Sequence, residues 1–254
     1  MTVGEFTLVE ALLVVVAGLA AGALNAVVGS GSLITFPTLV AVGLPPLAAN
    51  VSNTVGLVPG AVTSVYAYRR ELVGLRATVM RLLSATVSGA VLGVVLLLAF
   101  PESVFEAIVP VLVGLAVVLV LVQPWVARRL AVRGPRAGTA PWLWVAVGLT
   151  GVYGAYFGAA QGVLLIGVLG MGTLLGLQQV NAVKNVLAGT ANLVAGAVFA
   201  FAAPVDWTAA LLVALGASVG GLLGARIARR LPVPVLRGVV VAVGVAALVL
   251  LLVG

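Results

Sequence analysis

The chain has 254 residues, 63% hydrophobic and only 7% charged, with 13 basic and 6 acidic side chains and a formal net charge of +7. An ordinary soluble domain carries roughly a quarter charged residues, so a water-soluble globular fold is excluded. The absence of Cys and His excludes disulfides, thiolate and imidazole metal centres, and any relay that passes sulfur through a cysteine.

The amino terminus, MTVGEFTLVEALLVVV, carries acids and no basic residue. It lacks the positive region of a cleaved signal peptide and reads as the start of a retained first helix, Leu8–Val28. The run then breaks at Gly29-Ser30-Gly31-Ser32 and continues as a short apolar piece, Ser32–Leu44. Long apolar segments follow at Leu47–Tyr68, Ala77–Phe100 and Phe105–Trp125, then a basic stretch over 128–140. Beyond it come Pro141–Ala159, a second break at Gly158-Ala159-Ala160-Gln161-Gly162, and a second short piece, Gly162–Leu177. Gln178–Ala203, Trp207–Ala225 and Val233–Val253 complete the series. A helix needs ~20 apolar residues to cross a bilayer. The ~10-residue alternation of a transmembrane barrel is absent. The expected fold is an all-α polytopic membrane protein with eight long and two short segments.

Charge tests whether the short pieces cross. Basic loops face the cytoplasm. The basic clusters are Arg69, Arg70, Arg76 and Arg81; Arg128, Arg129, Arg133 and Arg136; and Arg226, Arg229, Arg230 and Arg237. With eight crossings the third cluster falls opposite the other two. With ten, all three share one side, and the acidic loops at Glu102, Glu106 and Asp206 share the other with Glu5 and Glu10. The expectation is therefore ten crossings, both termini outside, in the plasma membrane of a prokaryote. The arginines are accounted for by topology and lipid headgroups, without nucleic acid as a partner.

Ten divides into five plus five, and an odd number per half inverts one half against the other. The order of motifs supports a duplication. GALNAVVGSG at 22–31 resembles GAYFGAAQG at 154–162, and PPLAANVSNTVG at 45–56 is matched by QQVNAVKNVLAG at 178–189. The expected organisation is repeat 1 over 1–127, a basic cytoplasmic linker over 128–140 and repeat 2 over 141–254.

Inverted-repeat transporters place their sites where interrupted helices occupy matching positions in both halves. A helix beginning after each break directs its amino-terminal N–H groups at the break, the outline of an anion site. That puts Gly31 and Gly162 forward as backbone donors, with Asn25, Ser30, Ser32 and Gln161 beside them. After each short piece a polar face follows at helical spacing: Asn50, Ser52 and Asn53 in the first half, Lys184, Asn185 and Asn192 in the second. Tight packing of glycines and interhelical hydrogen bonding by Asn are the competing readings of these residues. Lys184 is the chain's only lysine, and a charge within a span marks function; its competing reading is snorkelling. No acid is placed mid-membrane, which disfavours proton coupling through a carboxylate. With no His or Cys either, an intramembrane enzyme is left only a Ser/Lys pairing such as Ser32 with Lys184, and no enzyme, metal or cofactor is expected.

These residues carry a resemblance. The stretch from GALNAVVGSGSLITFPTLVAVGLPP through Ser52-Asn53 to Tyr68-Arg69-Arg70, together with AVKNVLAGTANLVAGAVF and GASVGGLLGARIARR, is similar to the sulfite exporter TauE/SafE family, along essentially the whole chain. The chain departs from it where Gly-Ser-Gly replaces a run of glycines and Gly158–Gly162 a Gly-Pro-Gly-rich break. The resemblance implies export of a small anion such as sulfite or an organosulfonate, with Lys184 and Asn192 at the positions of the family's lysine and downstream asparagine. The expected partners are a small anionic substrate and the lipid bilayer, with a homodimer left open. A passive anion channel and a non-transporting assembly subunit are the alternatives.

Overall fold

The computed structural model describes residues 2–3, 6–132, 142–227, 238 and 241–249. A small antiparallel pair, β1 (Thr2–Val3) with β2 (Phe6–Thr7), precedes the first helix; at two residues a strand it shows no sequence period. Helix α1 (Leu8–Val27) starts on a capping box. The Thr7 hydroxyl accepts the Glu10 N–H at 3.3 Å while the Glu10 carboxylate accepts the Thr7 N–H at 2.8 Å, so two orphan donors satisfy each other's partners.

The helices follow as α2 (Ser32–Ala41), α3 (Pro46–Ala67), α4 (Arg76–Ala99), α5 (Glu102–Val132), α6 (Trp142–Tyr156), α7 (Gln161–Gly172), α8 (Leu177–Ala202) and α9 (Trp207–Ile227). Most ends fall within a few residues of the expected ones. The exception is α5, which runs on to Val132 rather than stopping near Trp125, because no Gly or Pro stands between Trp125 and Gly134 to oppose the helix. Arg128 and Arg129 are thus helical. Residues 241–249 are helical within the expected last segment. Glu5, Arg133, Arg136, Pro141, Arg229, Arg230, Arg237 and the rest of that segment lie outside the described residues.

Among the described residues five helices, α1, α4, α5, α8 and α9, are long and apolar enough to cross a membrane. Eight were expected. Helix α3 has the length, 22 residues, but its first half holds Asn50, Ser52, Asn53 and Thr54, and α6 is described over only 15 residues. The short pieces are helices of 10 and 12 residues. Outward-facing Val9, Val16, Val111, Leu149 and Leu211 are each more than half exposed, the apolar rim of an all-α membrane protein. Trp142, Trp144 and Trp207 stand at helix starts, where an interfacial aromatic belt would lie.

Helix pairs meet along small residues. α1 packs on α9 and α4 on α6; α3 packs on both α9 and α8, and α4 also on α8. The α1–α9 seam sets Gly18 and Gly22 against Gly216, Gly220 and Gly224, and the α4–α6 seam sets Gly89 and Gly93 against Gly148 and Gly151; a Cβ at most of these would collide with the facing backbone. Lipid gives helices no hydrophobic reason to associate, so close van der Waals approach at small residues holds the pairs.

Candidate functional site

Both breaks are built the same way. Val28 and Gly29 direct their N–H groups at the Leu24 carbonyl, at 2.7 and 2.9 Å. Phe157 and Gly158 direct theirs at Tyr153, at 3.0 and 3.1 Å. Gly29 and Gly158 take φ of +82° and +77°, the left-handed turn that ends a helix and that a side chain resists. The chain then reverses into α2 or α7. The two breaks cross backbone against backbone: the Gly162 N–H donates to the Gly29 carbonyl at 3.1 Å, and a Cβ on either glycine would overlap the other's Cα.

This crossing occupies donors expected to be free. The Gly31 N–H is taken by Asn25 Oδ1 at 2.7 Å and the Gly162 N–H by Gly29. The next N–H groups close turns, Leu33 on Ser30, Ile34 on Gly31 and Val163 on Ala160. The backbone donors read from the sequence are spent on joining the breaks, and any ligand contact falls to side chains.

Those side chains converge. One small cavity, about 30 Å³, is lined by Asn25, Ser32, Gln161, Gly162, Lys184, Asn185 and Asn192, with Gly29, Gly158, Ala61, Ser64, Ala188 and Gly189 completing it. A cavity of this size holds a water or two. Seven of the twelve expected residues thus meet at one point. Lys184 is fully buried at 0% exposure. Its ammonium donates to the Asn25 carbonyl at 2.9 Å and to Ala26 at 3.4 Å, and Asn185 Nδ2 also reaches the Ala26 carbonyl, at 3.3 Å. These are end carbonyls of α1 that its own helix leaves unpaired. An ammonium has three N–H groups, so one remains after both carbonyls. Gln161 folds back over Gly154 and donates to the Thr150 carbonyl at 3.1 Å.

The other five expected residues do not line the cavity. Gly31 is capped as described. Asn50 Nδ2 donates to the Tyr156 carbonyl at 3.0 Å, capping the end of α6 as Lys184 caps that of α1. Asn53 Oδ1 accepts the Thr35 hydroxyl, tying α3 to α2. Ser52 Oγ accepts the Asp206 N–H at 2.8 Å, fixing the turn into α9. Ser30 Oγ is buried with no partner among the described residues. Sequence reasoning missed Ser64. It stands eleven residues after Asn53, close to three helical turns, and so shares its face of α3; that spacing was the available signal.

A glycine-seamed helical membrane protein with two crossed breaks around a buried lysine defines the class. The chain belongs to the sulfite exporter TauE/SafE family, whose model matches residues 14–251. It is similar to the probable membrane transporter protein ORF9 of Sinorhizobium sp, 30% identical over 243 residues, 93% of this chain and 90% of that one. It is similar too to the probable membrane transporter protein YfcA of Escherichia coli strain K12, 27% identical over 210 residues, 82% of this chain and 76% of that one. A probable membrane transporter protein of Haemophilus influenzae is 28% identical over 217 residues, 82% of this chain and 81% of that one. No solved structure matches.

Proposed function

We propose that the chain is a secondary transporter that exports a small anion, such as sulfite or an organosulfonate, by alternating access between two inverted five-segment repeats. The observation that carries this reading is the buried Lys184, set among amides and hydroxyls where the two breaks cross, in a cavity that no carboxylate lines among the described residues. A charge buried within a span is functional by default, and among the described residues this one hydrogen-bonds to the backbone carbonyls of Asn25 and Ala26.

The repeat reading is supported by an exchange of partners. Shifting each helix of the first half to its counterpart in the second turns α1 on α9 into α6 on α4, and α3 on α9 into α8 on α4. Each half's third helix caps the other half's first, through Lys184 and Asn185 on α1 and Asn50 on α6. In the proposed topology of ten crossings in a prokaryotic plasma membrane, both termini lie outside and the basic loops inside. Ser64 lies four residues before Tyr68-Arg69-Arg70, so on that topology its end of the cavity faces the cytoplasm. The membrane potential then assists an exported anion by roughly 2.3 kcal/mol per charge per 100 mV, with no proton coupling required.

A carrier fits better than a channel, because a cavity of about 30 Å³ admits an oxyanion only after the halves move. Counterflow in proteoliposomes, with sulfite, sulfoacetate, taurine, sulfate and a carboxylate control, tests the reading. Wild-type protein is expected to exchange at least one sulfur oxyanion, and Lys184→Ala to lose tenfold or more of that flux. Single-channel currents, or wild-type flux in Lys184→Ala, would overturn it.

A further inference from the structure

We infer that the cavity selects singly charged oxyanions over doubly charged ones of the same size. This rests on the transport reading above and names the charge class of its substrate.

The inference follows from counting charge at the crossing. Among the described residues lining the cavity, Lys184 is the single side chain able to carry a charge; Asn25, Ser32, Ser64, Gln161, Asn185 and Asn192 are neutral. Helix ends contribute partial charges, about half a unit positive at an amino end and half negative at a carboxyl end. Here they come in pairs. The carboxyl end of α1 meets the amino end of α2 across Val28–Gly31, and the carboxyl end of α6 meets the amino end of α7 across 157–160. Each break therefore nearly cancels itself. What remains is one positive charge, held by the Asn25 and Ala26 carbonyls.

One ammonium neutralises one negative charge. A second negative charge in the same enclosed space would be unpaired, and an unpaired buried charge is strongly disfavoured. Desolvation cost rises with the square of the ion's charge, while attraction to a single ammonium rises only linearly, so the balance turns against a dianion. Neutral amides and hydroxyls supply hydrogen bonds to either ion and do not restore it. Of sulfite, the fitting form is hydrogensulfite. Of organosulfonates, those with a second acid group, such as sulfoacetate, are set aside.

Methanesulfonate and sulfate test this directly, since they are nearly the same size and shape and differ by one charge. Uptake of each, radiolabelled, is measured in proteoliposomes holding the full chain at neutral pH. Wild-type protein is expected to move methanesulfonate at least tenfold faster than sulfate. Asn192→Lys, or Ala188→Lys as an independent placement, adds a second charge to the cavity and is expected to lower that ratio at least threefold in monodisperse protein. Sulfate moving as fast as methanesulfonate in wild type, or a ratio unchanged in active lysine variants, overturns the charge selection and leaves the transport reading standing. If neither ion moves and the sulfite counterflow also fails, both fall together.

Discussion

Gly29 and Gly43 separate two requirements that glycine can meet. Both take positive φ, +82° and +100°, but a Cβ at Gly43 meets nothing within 4 Å, whereas one at Gly29 meets the Gly162 backbone. A left-handed residue with a side chain costs roughly 1–2 kcal/mol. Gly43→Ala is therefore expected to lower the unfolding temperature in detergent slightly and to leave counterflow near wild type. Gly29→Ala carries the same strain plus a backbone collision that no rotamer change relieves, and is expected to lose most folded, monodisperse protein or at least tenfold in flux. Equal behaviour of the two variants would mean that the crossing of the breaks is not what demands glycine. Lys184 makes the companion point about legibility. A lone lysine inside an apolar chain stands out in any reading of the sequence. That its ammonium satisfies carbonyls 158 and 159 positions away does not, because which element caps a helix end is decided by tertiary packing.

Helix α2 and the entry to α7 carry an aromatic seal beside the cavity. Phe36 meets Phe157 edge to face, ring centroids 5.2 Å apart, and Phe105 lies 6.4 Å from Phe157 and 5.9 Å from Tyr156. Phe36 is one turn beyond Ser32 and Phe157 adjoins Gly158, both lining residues, while Phe105 stands beside Glu102 and Glu106. The rings thus lie between the cavity and the acidic loop, opposite the Ser64 end. Aromatic pairs contribute about 0.5–1.5 kcal/mol beyond their burial. Phe36→Leu keeps most of the apolar volume and removes the edge contact. It is expected to stay folded and to raise unstimulated anion leak severalfold in liposomes loaded with a transported anion; an unchanged leak would place the seal elsewhere. The helices themselves were legible, since long apolar runs bounded by Pro, Gly or charge leave little choice. The extension of α5 was not, because Arg-rich composition reads as a loop though arginine is a good helix former. The free amino-terminal N–H groups were misread for a related reason: their partners, Asn25 Oδ1 and the Gly29 carbonyl, are set by how the two breaks fold and cross, and sequence spacing does not contain that.

At the scale of the whole molecule, ten crossings and eight place the loops differently, and the question is decidable because the chain has no cysteine of its own. The proposed repeat symmetry was read from the order of motifs and the expected sides of the arginines. The helix pairing that accompanies it, α1 with α9 and α4 with α6, was not, since each pair joins elements from different halves. Four exposed positions carry the test: Val73 after α3, Glu102 at the start of α5, Leu174 after α7 and Pro204 before α9. Introduced singly as Val73→Cys, Glu102→Cys, Leu174→Cys and Pro204→Cys, they are read by a membrane-impermeant maleimide added to intact cells, with lysed cells as the control for reactivity. If both short helices carry the chain across, Glu102→Cys and Pro204→Cys label from outside while Val73→Cys and Leu174→Cys do not. If neither does, the parity of the chain changes between the first and second halves. Glu102→Cys and Pro204→Cys then fall on opposite faces, whatever the absolute orientation. Labelling of one and not the other would remove the inversion between the halves. With it would go the reason for placing all three arginine clusters on one side and for expecting the two halves to rock about the crossing of Gly29 and Gly162.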